Sequence, residues 1–148
     1  MTMIFYTLAL LFAWQGPVQT QSDPTDGLSG NWKLISIFVD ESKGLMVRPE
    51  DMTDEQCIIR FESDEEGSAF AGKTIQNQIF GNYETFPGDN YEILEIKDFG
   101  STKVLERGFG GQMMRYFPKM TSFHLHKEIG ILEMKSSKGV IFQFQALE

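Results

Sequence analysis

The sequence predicts a mostly β protein: an antiparallel, roughly eight-stranded, strongly curved sheet or barrel, with one helix inserted before the last three strands. Three observations lead there. The apolar segments are short and rich in β-branched and aromatic residues, which suits a pleated, half-buried surface. Turn clusters separate them at intervals of about 8–12 residues, the spacing of an antiparallel barrel or sandwich. Helical periodicity appears only between Thr102 and Met120, so the strand and helix alternation of a parallel α/β sheet is missing.

Asn31 to Val39 opens the series, with Trp32, Leu34, Ser36 and Phe38 on one face and Lys33, Ile35, Ile37 and Val39 on the other; being apolar on both, it is expected to be central. The charged connection Asp40 to Gln56 contains one expected helical turn at Pro49 to Glu55, since proline suits a first helical position. Cys57 to Glu62 then alternates, with Cys57, Ile59 and Phe61 inward, and Ser63-Asp64-Glu65-Glu66-Gly67 turns the chain back as Ser68 to Gly72. Ile79 to Glu84 and Tyr91 to Ile96 make a second hairpin around Phe86-Pro87-Gly88-Asp89-Asn90. Val104, Leu105, Phe109, Met113, Met114, Tyr116 and Phe117 recur at helical offsets, and Pro118 ends that element. Gly108, Gly110 and Gly111 each cost about 1 kcal/mol relative to alanine in a helix interior, which places the expected helix start after Gly111. Ser122 to Lys127, Ile131 to Lys135 and Val140 to Gln145 close the chain, the last alternating Val140, Phe142 and Phe144 against Gln143 and Gln145. The aromatic set Trp32, Phe38, Phe61, Phe70, Phe80, Tyr83, Tyr91, Phe109, Phe117, Phe123, Phe142 and Phe144 is the expected core.

Length and composition bound the function classes. The 148 residues suit one domain, which at this size buries enough surface to fold without a disulfide framework. With 41% hydrophobic and 23% charged residues, the chain is not a disordered acidic tail. Its formal charge of −8 argues against a nucleic-acid binder, whose affinity comes from clustered positive charge on phosphates. The single cysteine, Cys57, excludes an internal disulfide and a multi-cysteine zinc site within one chain.

Residues 1–21 hold no charged side chain, and Met3 to Trp14 is a largely apolar run of 12 residues. A membrane span needs about 20. The run fits the apolar region of a signal peptide, followed by the breaker Gly16-Pro17 and a polar stretch, Gln19-Thr20-Gln21-Ser22, where a peptidase would cut. The expected organisation is a signal peptide at 1–21, a flexible lead-in at 22–27 rich in turn residues, and a single β domain at 28–148. No cysteine follows the apolar run, so the lipid attachment of a bacterial lipoprotein is excluded. The expected location is secreted or periplasmic, without a stable membrane span after cleavage.

Several strings in this order carry a resemblance. Leu28-Ser29-Gly30-Asn31-Trp32-Lys33-Leu34-Ile35-Ser36 opens the domain, Phe70-Ala71-Gly72 leads through Asn77 to Phe80-Gly81-Asn82-Tyr83, and Ser101-Thr102-Lys103 precedes an apolar helix ending at Phe117. A terminal hairpin with Leu132 and Phe142 follows. In order and spacing, about residues 28 to 146 resemble the META domain or HslJ-like family of bacterial envelope proteins. The resemblance implies a small exported β-rich domain without established catalytic activity, with Gly30, Trp32, Phe70, Gly72, Asn77, Gly81, Tyr83, Ser101, Thr102, Lys103 and Phe117 as motif residues. The family commonly shows Gly-Cys-Asn where this chain has Ile75-Gln76-Asn77, and Cys57 lies elsewhere, so no family disulfide carries over. The opening Gly30-x-Trp32 is also shared with lipocalins and fatty-acid-binding proteins, where the tryptophan packs across the barrel end.

Motifs that would carry chemistry are weak. His124 and His126 are the only histidines; two residues apart on a strand they point the same way, half of a metal site, but no HExxH or cysteine partner accompanies them. No Gly-x-Ser-x-Gly elbow supports a Ser-His-Asp arrangement. The acidic run from Glu50 to Glu66 lacks the alternating pattern of a calcium loop and reads as solvated. Gly108-Phe109-Gly110-Gly111 is not followed by the Lys-Ser/Thr of a phosphate-binding loop. Cys57 is expected to be a small buried apolar residue rather than a reactive thiol. The sequence thus points to no catalytic residue, no metal and no cofactor, and to a structural or interaction module of the bacterial envelope. The alternative is a lipocalin-like carrier of a small apolar ligand lined by Trp32, Phe61, Tyr83 and Phe117. The expected partner is a protein or such a ligand, and not nucleic acid.

Overall fold

A computed structural model of the protein describes residues 27–147. The expected signal peptide and most of the lead-in lie outside the described residues. Alternation is visible in the first long pair. β1 (Gly30–Phe38) is followed by the short β2 (Leu45–Val47) and by β3 (Ile58–Asp64), which buries Ile59 and Phe61 and exposes Arg60 and Glu62. Asp64 makes the tight turn into β4 (Gly67–Lys73), its Oδ1 accepting the N–H groups of Glu66 and Gly67 at 2.8 and 3.1 Å. β5 (Gln78–Pro87) and β6 (Glu92–Ser101) follow, then α1 (Gly108–Tyr116), a 3-10 turn at Phe117–Lys119, and β7 (Met120–His126), β8 (Ile131–Ser136) and β9 (Ile141–Leu147).

Neighbours in sequence are neighbours in space. Strands β3 to β9 pair successively and antiparallel, β3 pairs back to β1, and β9 closes the ring on the other edge of β1, from Ile141 opposite Phe38 to Leu147 opposite Asn31. The result is a closed eight-stranded antiparallel barrel, which leaves no free edge around the ring. β2 is an addition the sequence did not announce. It takes over the edge of β1 at Ser36–Phe38, beyond Gly30–Lys33 where β3 pairs. The helical turn expected at Pro49 to Glu55 is absent; two separate turns close instead, Met52 N to Pro49 O and Gln56 N to Thr53 O, both 3.2 Å. Arg48 competes for this segment's carbonyls. Its guanidinium donates to Leu34 O, Thr53 O and Gln56 O at 3.0, 2.5 and 2.8 Å, which draws the loop onto β1 instead of letting it coil.

Three bulges decide which side chains face inward. Leu34 and Ser36 oppose Phe144 and Gln143, so Ile35 is the extra residue in β1. Trp32 and Leu34 are buried before it, Ile37 and Val39 after it. The simple two-faced reading of the first strand is therefore corrected: Ile37 and Val39 join Trp32 inside, and Phe38 is only half-buried. In β6 the register shift opposite Phe80 to Asn82 coincides with Asp98 in a left-handed conformation (φ 51°), and the inward phase moves from Leu94 and Ile96 to Phe99. A third shift, at Thr121, takes β7 from Met120 to Phe123 inward.

One seam is short. β6 and β7 share only two paired positions, Glu92 with Phe123 and Ile93 with Ser122. The helical segment packs where the seam ends: Phe109 and Met113 of α1 and Phe117 of the 3-10 turn belong to the core, and the turn lies against β6. Phe117 rings contact those of Phe61, Phe70 and Phe99 at 6.4, 5.1 and 6.5 Å between centroids. Expected core members Phe80 and Tyr91 are instead about half exposed. Phe80 lies across the barrel's outer face over Gly100, its paired residue on β6.

Candidate functional site

The densest polar constellation lies where the β4–β5 turn meets the loop from β6 to α1. Thr74 to Asn77 form a tight turn, with Thr74 N donating to Asn77 O (2.8 Å) and Asn77 N to Thr74 Oγ1 (3.0 Å). The buried Asn77 side chain then spends its whole hydrogen-bonding capacity on the opposite loop. Oδ1 accepts from Thr102 Oγ1 and Val104 N, both 2.9 Å; Nδ2 donates to Val104 O and Glu106 Oε1, both 2.8 Å. Glu106 completes the anchor. Its Oε1 also accepts from Thr74 Oγ1 at 2.5 Å and Gln76 N at 3.3 Å, and its Oε2 from Ile75 N at 2.9 Å. Charge-assisted bonds of this kind are roughly twice as strong as neutral ones.

The glycines in the first turn of α1 make room for this carboxylate. A Cβ on Gly110 would collide with Glu106 Oε2, and one on Gly111 would lie 2.6 Å from Glu106 O. Gly108 supplies the left-handed turn into the helix (φ 68°). The helix therefore starts at Gly108 and not after Gly111: the close approach of α1 to Glu106 outweighs the roughly 1 kcal/mol propensity cost of each glycine.

Anchoring residues 102–106 from inside leaves two aliphatic side chains outside. Val104 is 50% exposed and Leu105 77% exposed. They border a recess of about 500 Å³ between the loop and α1, whose walls include Arg107, Met114 and Arg115. Two further recesses, of about 560 and 390 Å³, flank His124 on β7, beside Tyr91. The His124 and His126 rings sit 4.3 Å apart, on one face as their spacing implies. Among the described residues no group of three or more His, Cys, Asp or Glu side chains is placed to hold a metal.

Cys57 is fully buried with a left-handed backbone (φ 52°) at the entrance to β3, and burial pushes its thiol up to about 12. Such a thiol stays protonated at neutral pH and is a poor nucleophile. The same desolvation lowers the pKa of Arg48, whose guanidinium lies 3.5 Å from Cys57 O.

The motif residues named from the sequence divide into three groups. Trp32, Phe70, Tyr83 and Phe117 are buried in the barrel, with Trp32 Nε1 donating to Leu28 O at 2.7 Å. Gly72 and Gly81 oppose Ile59 and Phe70 on neighbouring strands, whose side chains occupy the space a Cβ would need. Asn77, Ser101, Thr102 and Lys103 gather at the anchored loop, while Gly30 begins β1 in the open. Of the side chains named as a possible ligand lining, Phe61 touches Tyr83 edge-on (5.2 Å, 82°) and Phe117 (6.4 Å), and Trp32 is buried in the same core. Sequence reasoning missed Thr74 and Glu106. Thr74-x-x-Asn77 has the spacing of a side-chain-closed turn, a signal that was available. Nothing local marks Glu106, whose partners lie 29 to 32 positions earlier.

No protein-family model matches the sequence, and no curated protein does. Among solved structures, the chain is similar to a protein from Burkholderia xenovorans determined by NMR, with TM-score 0.56 and 15% identity over 81% of this chain and 83% of that one. It is also similar to a DUF4847 family protein from Bacteroides vulgatus ATCC 8482, with TM-score 0.48 and 16% identity over 80% of this chain and 92% of that one. At 15% identity the likeness to the Burkholderia protein is one of fold alone, and that to the second is looser still.

Proposed function

We propose that the chain is an exported, non-enzymatic META/HslJ-like domain serving as a rigid structural or interaction module of the bacterial envelope. The observation that carries this reading is the filled interior. The rings of Phe61, Phe70, Tyr83, Phe117, Phe142 and Phe144 occupy the inside of the barrel in tilted and edge-to-face contacts. A carrier needs a pocket of about 300 Å³ or more, and the largest inward side chains stand in that space. The ordered motif strings and the apolar N-terminal run support export and the family reading.

Native mass spectrometry of the protein purified from its own host tests this. The expected species is a chain beginning near Gln21 to Asp23, bound to a protein and free of small apolar ligand. A stoichiometric apolar ligand that dissociates on denaturation would favour the lipocalin-like carrier instead, and an intact N-terminus would remove cleavage of the leader from the reading.

A further inference from the structure

We infer that the groove between the 102–107 loop and α1 is a docking site for an acidic peptide segment that carries a large apolar side chain. The inference deepens the interaction-module reading and rests on it. Its first support is charge. The recess is lined by Lys103, Arg107 and Arg115 against one carboxylate, a local +2 in a chain of −8. That carboxylate, Glu106, also lines the recess, but its two oxygens already accept hydrogen bonds from Thr74, Ile75, Gln76 and Asn77. Lys103, Arg107 and Arg115 are exposed, and among the described residues none of them forms a salt bridge.

The second support is rigidity. A loop free to move would fold Val104 and Leu105 back onto protein surface, yet the Asn77 and Glu106 bonds fix the backbone on both sides of them. Holding apolar groups in water in one conformation lowers the ordering cost of a later contact. Exposed aliphatic residues rimmed by polar ones mark interaction surfaces. The third support is shape. The site is a recess of about 500 Å³ with Met114 in its wall, which receives a protruding side chain better than it lies on a flat bilayer. An extended anionic surface would also face the remaining −10 of the chain, whereas a short peptide samples only the basic groove within a Debye length of about 8 Å.

A displayed library of short random peptides, selected on the immobilised wild-type protein, provides the test. The expected enrichment is Asp and Glu around a Leu or Phe, with binding that weakens as salt rises. Leu105→Asp and the pair Lys103→Glu with Arg107→Glu should each reduce affinity for the selected peptides at least about tenfold, with unchanged circular dichroism and melting. Tyr91→Asp, at an exposed position outside the groove, should leave affinity unchanged. Peptides without acidic enrichment, no enrichment at all, or affinity indifferent to the groove variants would each overturn the proposal. So would sedimentation with phosphatidylglycerol-containing vesicles in the absence of peptide selection, which would transfer the surface to an anionic bilayer. A host protein still retained by both groove variants would overturn this site while leaving the interaction-module reading intact.

Discussion

Single residues show how burial converts ordinary side chains into fixed ones. Trp32 packs inside the barrel while its indole nitrogen closes onto Leu28 O, so Trp32→Ala removes both a large apolar volume and a hydrogen bond. A loss of about 3–5 kcal/mol is expected in urea unfolding; a near-neutral result would take Trp32 out of the core. Cys57 makes a prediction with a definite sign. Desolvation raises its pKa from 9.0 to about 12, opposed by Arg48 and assisted by Glu106. The folded protein keeps the proton above pH 9 where the unfolded chain releases it, so the contribution of the neutral thiol is complete below about pH 9 and is lost as pH rises towards 12. Denaturant melts between pH 7 and 10.5 should show an alkaline decline that is shallower in Cys57→Ala; equal slopes would mean the thiol is not buried.

At the level of elements, propensity gives way to contact at the start of α1. Gly110→Ala would ordinarily stabilise a helix by about 1 kcal/mol, but here the added Cβ displaces Glu106 Oε2 from Ile75 N. The expected outcome is a net loss of about 1–2 kcal/mol, since a carboxylate acceptor is pushed off its partners. Glu106→Gln should destabilise by a similar amount, and the double variant by much less than the sum, because both act through one carboxylate. Thermal melts of the three proteins decide it, and additivity would separate the glycine from the anchor. Helical periodicity and Pro118 made one helix between Thr102 and Met120 legible, though not its start at Gly108, and alternation and turn chemistry made the eight ring strands legible. It hid β2 and the bulges at Ile35, Asp98 and Thr121, because a bulge changes which face a residue takes without changing composition.

For the whole molecule, closure is the property that everything else requires. β9 is held on both sides, by β8 and by β1, and carries Phe142 and Phe144 into the core. Removing residues 141–148 would open two edges at once and expose the apolar interior. The truncated chain is expected to lose cooperative thermal unfolding in circular dichroism and to aggregate; a cooperative transition would mean that the open sheet is stable without ring closure. The short β6–β7 seam argues for the same dependence, since two paired positions alone hold those strands and the helical segment must supply the rest of the contact.

By itself the sequence determined the fold class, the order and number of ring strands, the single helix and the aromatic character of the core, because these follow from residue periodicity and turn chemistry that act over a few positions. It also singled out Asn77 and Thr102 through a family resemblance, without saying what they hold. Only the tertiary structure decided that Asn77 and Glu106 meet across 29 positions, that Phe80 and Tyr91 lie outside while Ile37 and Val39 lie inside, and that Leu105 is held in water beside Lys103, Arg107 and Arg115, which form no salt bridge among the described residues. Those outcomes depend on strand register, bulges and the approach of a distant loop. Such long-range choices are made by the free energy of the closed barrel, and no local pattern encodes them.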